Sequence, residues 1–230
     1  MPDAPTPPPP ANDSTGAAPA AERPATPKPR PYAHAPRLPL EGPIDLRAVA
    51  QGAWLEVEVG PGRGRFLLER AVAAPEAAVV GLEIRRKWAT IVDERLGKRG
   101  LHARARCFAE DAREVLPRLA NAGQVKRVFL HFPDPWWKKR HEKRLVMGEL
   151  FLREVARLLE PGGELYIQTD VPFRADQYAG AGLGHDAFEP AGDEPGSAIL
   201  EKNPYGARSD REARADVDGL PVTRMRFRKK

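Results

Sequence analysis

An open α/β sheet with mostly parallel strands is the fold class that this sequence predicts, and three observations carry the prediction. Short apolar runs alternate with segments of helical periodicity along most of the chain, the pattern of successive βα units. One such run, Trp54-Leu55-Glu56-Val57-Glu58-Val59, passes straight into Gly60-Pro61-Gly62-Arg63-Gly64 and then into a helical pattern with Phe66, Leu67, Leu68 and Ala71. An acid also stands at or just beyond the end of five successive strands: Glu58, Glu83, Asp111, Asp134 and Asp170. In an open α/β sheet those ends share one crevice, the place where such folds bind ligands.

With 230 residues, 41% of them hydrophobic, the chain can bury one substantial core. Fourteen of its 25 prolines fall in the first 43 positions. A segment of that composition cannot bury enough apolar surface to offset its ordering entropy, so residues 1–42 read as a disordered tail and 43–230 as the domain. Within the tail, Tyr32, His34, Arg37 and Leu38 are candidates to dock where the domain begins. The formal charge of +5 points weakly to an anionic partner. A single cysteine, Cys107, excludes an intramolecular disulfide and a zinc site built on several cysteines. No apolar run is long enough to span a bilayer, and the N-terminus lacks a secretory pattern. The expectation is a soluble cytoplasmic protein without metal or membrane partner, a monomer or homodimer.

Each element has its own justification. The strand at 54–59 alternates apolar and acidic residues. The glycine turn behind it, with a helix following, lets a ligand approach the backbone closely. Its spacing is E-x-G-x-G-x-G; the dinucleotide fingerprint G-x-G-x-x-G is broken by Arg65, which disfavours a dehydrogenase. Gly60, Gly62 and Gly64 are thus candidate cofactor contacts. A tight turn needing positive φ is the plainer explanation, and three glycines in five positions outweigh it. A second strand, Ala78 to Glu83, ends in an acid at the place, ~20 residues past the glycines, where nucleotide-binding units hold ribose hydroxyls. A basic helix runs from about Ile84 to Gly97. A third strand, Ala103 to Phe108, leads to Asp111-x-x-Glu114, a helix-start signature. Asp111 also leaves the same sheet edge as Glu58 and Glu83.

The densest stretch is Val128-Phe129-Leu130-His131-Phe132-Pro133-Asp134-Pro135-Trp136-Trp137-Lys138-Lys139-Arg140-His141. Val128 to Phe132 reads as a buried strand. Pro133 and Pro135 stiffen its exit and place Asp134 at a strand end. The indoles and the cations Lys138, Lys139, Arg140, Lys143 and Arg144 suit a flat base and a phosphate backbone. Taken singly, each residue is as well explained by core packing or a solvated helix start; in this order they favour a site. A helix follows from about Lys143 to Leu159, with Leu145, Leu150, Phe151, Val155 and Leu158 at core spacing. Pro161-Gly162-Gly163 stops it. A strand from Glu164 to Thr169 ends at Asp170, a helix spans about Pro172 to Ala181, and Leu220 to Arg228 is a final strand.

Phe132-Pro133-Asp134-Pro135-Trp136-Trp137-Lys138-Lys139-Arg140-His141-Glu142-Lys143-Arg144 closely resembles the F-P-D-P-W-x-K-K-R-H-x-K-R-R signature of the bacterial tRNA (guanine-N7)-methyltransferases. Glu58 to Gly64 is similar to that family's E-I-G-x-G-x-G loop, and Gly81-Leu82-Glu83, Asp111 and Thr169-Asp170 fall into register. The resemblance covers about Leu38 to Asp170. It implies a Rossmann-like class I methyltransferase fold, a mostly parallel seven-stranded sheet with an antiparallel C-terminal strand. It implies S-adenosylmethionine as cofactor, held by Glu58, Glu83 on the ribose, Asp111 near the adenine, and Asp134, the residue closest to catalysis. It implies tRNA as partner, contacted by Lys138 and Asp170, with the variable-loop guanosine 46 as target. Where the family carries T-x-F/Y-E, this chain has Asn203-Pro204-Tyr205-Gly206-Ala207-Arg208. Asn203, Tyr205 and Arg208 keep the register as substrate residues; Gly206 supplies no carboxylate. Ser209 to Asp218 reads as a polar insertion. The alternatives are a non-catalytic RNA-binding protein that keeps the fold and a methyltransferase for a different substrate.

Overall fold

The computed structural model describes residues 31–133 and 146–230. Strands β1 (Trp54–Val59), β2 (Ala77–Leu82), β3 (Ala105–Phe108), β4 (Val125–His131), β5 (Leu159–Thr169), β6 (Phe188–Pro190), β7 (Ile199–Leu200) and β8 (Thr223–Lys229) form one sheet in the order β3-β2-β1-β4-β5-β8-β6, with β7 on β8. The first five pair in parallel, and β8 runs antiparallel to β5, β6 and β7. Order reverses between β1 and β4, so the ends of those two strands open the crevice of the sheet. The expected sheet had seven strands; the eighth is the two-residue β7, set among Pro190, Gly192, Pro195 and Gly196, too short to show periodicity.

Helices α1 (Arg65–Ala73) and α2 (Arg86–Lys98) cover one face. Their Leu67, Ala71, Val92 and Leu96 pack on Ala77, Val79, Ala105 and Cys107. The other face is the larger core, where α3 (Ala112–Val115), α4 (Glu149–Leu158) and α5 (Pro172–Leu183) meet Leu55, Val57, Val59, Val128, Leu130, Leu165 and Ile167. Because both faces are covered, β2 is buried at all six positions and shows no alternation. The alternation of β1 has a different cause than solvent exposure. Glu56 and Glu58 are as buried as their apolar neighbours. Glu56 accepts Arg70 Nε and Nη2 at 2.7 Å each, Arg127 Nη1 at 2.9 Å and Trp54 Nε1 at 3.0 Å. Burial alone would raise its carboxyl, and these cations hold it below the ordinary carboxylate range.

Of the four tail residues expected to dock on the domain, Arg37 and Leu38 do so: Leu38 is buried, as is Ala35, and Arg37 Nε and the Leu38 N–H bond Glu110 at 2.8 and 2.9 Å. The helix expected from Lys143 begins at Glu149, after bends at 146–148. The polar insertion from Ser209 to Asp218 folds as a helix, α6 (Asp210–Asp218). Ser209 Oγ accepts the Glu212 N–H at 3.1 Å, and Gly219 at φ 64° closes the C-terminus. Ser209-x-x-Glu212 is itself a helix-start signature.

Candidate active site

The glycine turn fits no other residue at its last position. Gly64 is the N-cap of α1 at φ 79°, and a Cβ there would come within 2.5 Å of the Val92 methyls. Close packing of α1 on α2 therefore depends on a bare backbone. Gly60, at φ 72°, has open space where its Cβ would project. Its N–H donates to Leu82 O at 2.9 Å, which ties the turn to the end of β2. The turn borders a cleft of about 510 Å³ whose lining includes Gly60, Glu83, Asp111, His131 and Phe132, residues from the ends of β1, β2, β3 and β4.

Glu83 is buried and faces the turn: its Oε2 accepts the Gly62 N–H at 2.8 Å, and its Oε1 accepts the Arg85 N–H at 2.9 Å. Oε1 also accepts Arg85 Nε at 3.2 Å. Each carboxylate oxygen has two lone pairs, so Oε2 keeps capacity for a ligand hydroxyl. Asp111 caps α3, accepting the Arg113 N–H at 3.0 Å and Arg113 Nη2 at 2.5 Å. The Arg113 bonds hold its carboxyl below the usual range, so it stays ionised. Asp111 serves both roles read from the sequence, capping the helix and lining the cleft.

Glu58 lies beneath the cleft. Its Oε1 is 2.9 Å from His131 Nδ1, and both Glu58 Oε2 and His131 Nε2 are buried without a partner among the described residues. Burial pushes the Glu58 carboxyl up, and the nearby acids Glu83 and Asp210 add to this against the opposing pull of His131. His131 is wedged against Phe66, ring centroids 4.2 Å apart, and its edge lines the cleft. Buried polar atoms left unpaired are rare in folded proteins and point to a partner beyond the described residues.

The strand expected to run through Phe132 stops at His131. Phe132 turns into the left-handed region at φ 45°, a conformation costing about 1–3 kcal/mol for a non-glycine residue. The proline that follows also disfavours helical backbone there, so the chain leaves the sheet sharply at the cleft. Asp134, Trp136, Trp137, Lys138, Lys139, Arg140, Lys143 and Arg144 lie outside the described residues.

Asp170, at the end of β5, is not in the cleft wall. Its Oδ2 accepts Arg211 Nη2 at 2.6 Å and Nε at 2.8 Å. Asn203, Tyr205 and Arg208 are also set apart from the cleft, in a segment docked against α1. Tyr205 is buried among Phe66, Phe129 and Tyr166, its hydroxyl 3.2 Å from Glu164 and its carbonyl accepting Arg70 Nη1 at 2.7 Å. Asn203 accepts the Tyr205 N–H at 3.0 Å and donates to Glu212 Oε2 at 2.9 Å. The Arg208 N–H donates to Glu69 at 2.8 Å. The carboxylate beside Asn203 comes from Glu212, buried on α6. Of the predicted residues, the structure gathers Gly60, Glu83 and Asp111 in the cleft, with Glu58 just below. Sequence reasoning missed His131, Glu110 and Arg211. His131 sat inside an apolar run and Glu110 inside a helix-start motif, so neither carried a signal of its own.

The donor set fits a ligand with a cationic end, a diol and a heterocycle: an unpartnered carboxylate oxygen at Glu58, an acid at the end of β2, an ionised Asp111, and a turn open at Gly60. Comparison with known proteins agrees. A family model described as "Putative methyltransferase" matches residues 53–225. A tRNA (guanine-N(7)-)-methyltransferase of Anaeromyxobacter dehalogenans is 39% identical over 176 residues, 76% of this chain and 86% of that protein. One of Myxococcus xanthus is 34% identical over 207 residues, 84% of this chain and 98% of that protein. The chain belongs to the bacterial tRNA (guanine-N7)-methyltransferase family. Two solved structures show the family's methyltransferase fold. The 16S rRNA methyltransferase KamB matches with TM-score 0.54 at 18% identity, over 80% of this chain and 91% of that one. TrmN from Thermus thermophilus matches with TM-score 0.54 at 21% identity, over 80% of this chain and 47% of that one.

Proposed function

We propose that this chain is a tRNA (guanine-N7)-methyltransferase acting on guanosine 46 of the variable loop, with S-adenosylmethionine as methyl donor. The observation that carries the reading is the cleft of carboxylates at the switch between β1 and β4, in a chain 39% identical to a protein of that name over most of both lengths. Glu83 would take the ribose hydroxyls, Asp111 the adenine, and the Glu58–His131 pair the cationic amino-acid end. Bound there, the cofactor supplies an electrophilic methyl on a sulfonium.

Guanine N7 carries a free lone pair, so no proton has to leave before it attacks, and no general base is required. The chain's task is to hold base and methyl donor in line, a proximity effect. Asp134 would accept hydrogen bonds from the guanine N1–H and amino group, orienting the base and offsetting the positive charge that develops on the ring. Removing the base from its stack requires a receiving surface, the role of Trp136 or Trp137. Lys138 and Asp170 would contact the nucleotide, while Lys139, Arg140, Lys143 and Arg144 take phosphates.

The test mixes the purified chain, labelled S-adenosylmethionine and tRNA lacking 7-methylguanosine, then cleaves the product chemically at the modified base. Label in the variable loop is the expected result. Cofactor binding with no transfer to tRNA would overturn the reading in favour of a non-catalytic RNA-binding protein or another substrate.

A further inference from the structure

Arg211 is placed where stability gives no reason for an arginine. It lies in the first turn of α6, where a cation opposes the helix dipole. Its ion pair with Asp170 is largely solvated, the arginine side chain being 59% exposed, and exposed pairs contribute about 0–1 kcal/mol. The geometry is nonetheless specific. Both bonds from Arg211 fall on Asp170 Oδ2, so among the described residues Asp170 Oδ1 and Arg211 Nη1 have no partner. The Arg211 Cζ lies 5.8 Å from the centroid of the Phe132 ring, within cation–π range. Phe132, the residue held at positive φ, lines the cleft, and its N–H donates to Gln168 O at 2.8 Å. The guanidinium is therefore held by a carboxylate at the end of β5 and an aromatic ring at the end of β4, at the rim of the cleft. Among the described residues this ion pair thus keeps one donor and one acceptor without partners. A nucleotide offers the matching pair, a phosphate oxygen and the N–H groups of a base, and a guanidinium fork is suited to phosphate.

We infer that Arg211 is a tRNA-positioning residue whose guanidinium takes a backbone phosphate next to the target guanosine, aimed by Asp170 and Phe132. This rests on the tRNA methyltransferase reading above. It also assigns a role to α6: besides supplying Glu212 to the Asn203 segment, the helix carries a phosphate contact to the cleft rim.

The experiment measures affinity for an unmodified tRNA transcript across a series of salt concentrations for the full chain and three variants. Each phosphate contact contributes roughly 0.7–0.9 to the slope of log affinity against log salt. Arg211→Gln is expected to lower the slope by about that amount and weaken binding roughly threefold to tenfold. Arg211→Lys keeps a charge at the site and should retain the slope. Arg214→Gln removes an exposed cation of the same helix that pairs with Asp218 instead, and should retain it too. A wild-type slope in Arg211→Gln overturns the inference. So does an equal loss in Arg214→Gln, which would mean that only the overall charge of α6 matters. Wild-type chain that neither binds nor methylates tRNA overturns both this and the function it rests on. Wild-type methylation with an unchanged slope in Arg211→Gln overturns this alone.

Discussion

Replacing Arg70 by methionine tests whether the polar face of the sheet is held together by a buried charge lattice. Arg70 is buried on α1 and makes three strong bonds, Nε and Nη2 to Glu56 and Nη1 to Tyr205 O, each 2.7 Å. Its guanidinium also lies 5.7 Å from the Tyr205 ring. Methionine fills much of the same volume but leaves Glu56, in the central strand, with only Arg127 and Trp54. Removing one partner of a buried ion pair costs about 3–5 kcal/mol because the remaining charge is stranded. Arg127 still neutralises part of that charge, so the low end, about 3 kcal/mol, is expected. With an m-value of about 2–3 kcal/mol/M in urea, the midpoint should fall by about 1 M.

The same loss must depend on pH. The folded-state carboxyl of Glu56 lies below its ordinary value, so it contributes stability above the unfolded value that is lost as pH falls through the folded one. In Arg70→Met the carboxyl loses its main cationic partner, so the gap between variant and wild type should be full at neutral pH and narrow as pH drops below the ordinary carboxylate range. Urea denaturation at pH 7 and in acid reads both effects. A midpoint at pH 7 within a few tenths molar of wild type, or a gap independent of pH, would refute the lattice.

Glu58→Gln should trade function for stability. The wild-type carboxyl is raised by burial, so it is least costly while protonated, and its ionisation destabilises the fold as pH rises past the unfolded value; the variant should gain about 1 kcal/mol at pH 8 by urea denaturation, with no gain in acid, and should bind S-adenosylmethionine more weakly by calorimetry. Gly64→Ala requires a left-handed alanine pressed against Val92 and should lower stability by at least about 1–2 kcal/mol, read from the same denaturation curves. Asp134→Ala should lose most turnover, about 100-fold or more, while its circular dichroism and melting temperature match wild type; unchanged turnover would remove Asp134 from the mechanism.

The elements legible in the sequence were those whose local pattern and burial agree. β1 is found where its alternation places it, and the Gly60–Gly64 turn, Glu83 and Asp111 stand together at the cleft because strand ends in a parallel sheet necessarily converge. What stayed hidden depended on contacts distant in the chain. Glu56 shows no role until Arg70 is brought to it, and Glu58, expected as a site acid, meets its partner His131 only in the folded sheet. Arg37 and Leu38 are expected to dock, but their partner, Glu110, lies more than seventy residues away and has no local signal. Tyr205 was read as a substrate contact, yet its ring completes an aromatic cluster with Phe129 and Tyr166, a role that its local sequence does not reveal.

The C-terminal departure from the family pattern follows from the same long-range contacts. The Asn203 amide donates to Glu212 of the next helix, and Arg224 of β8 secures that carboxylate at 2.9 Å. Once α6 is fixed by Glu212 on its buried side, its exposed Arg211, one residue earlier, falls opposite Asp170 and over Phe132. A single-residue offset on a helix rotates a side chain by about 100°, enough to turn from the buried lattice to the cleft rim. The contacts that fix α6 thus also set Arg211 against Asp170 and Phe132. The departure at Gly206 leaves the cleft residues Glu83 and Asp111 in place.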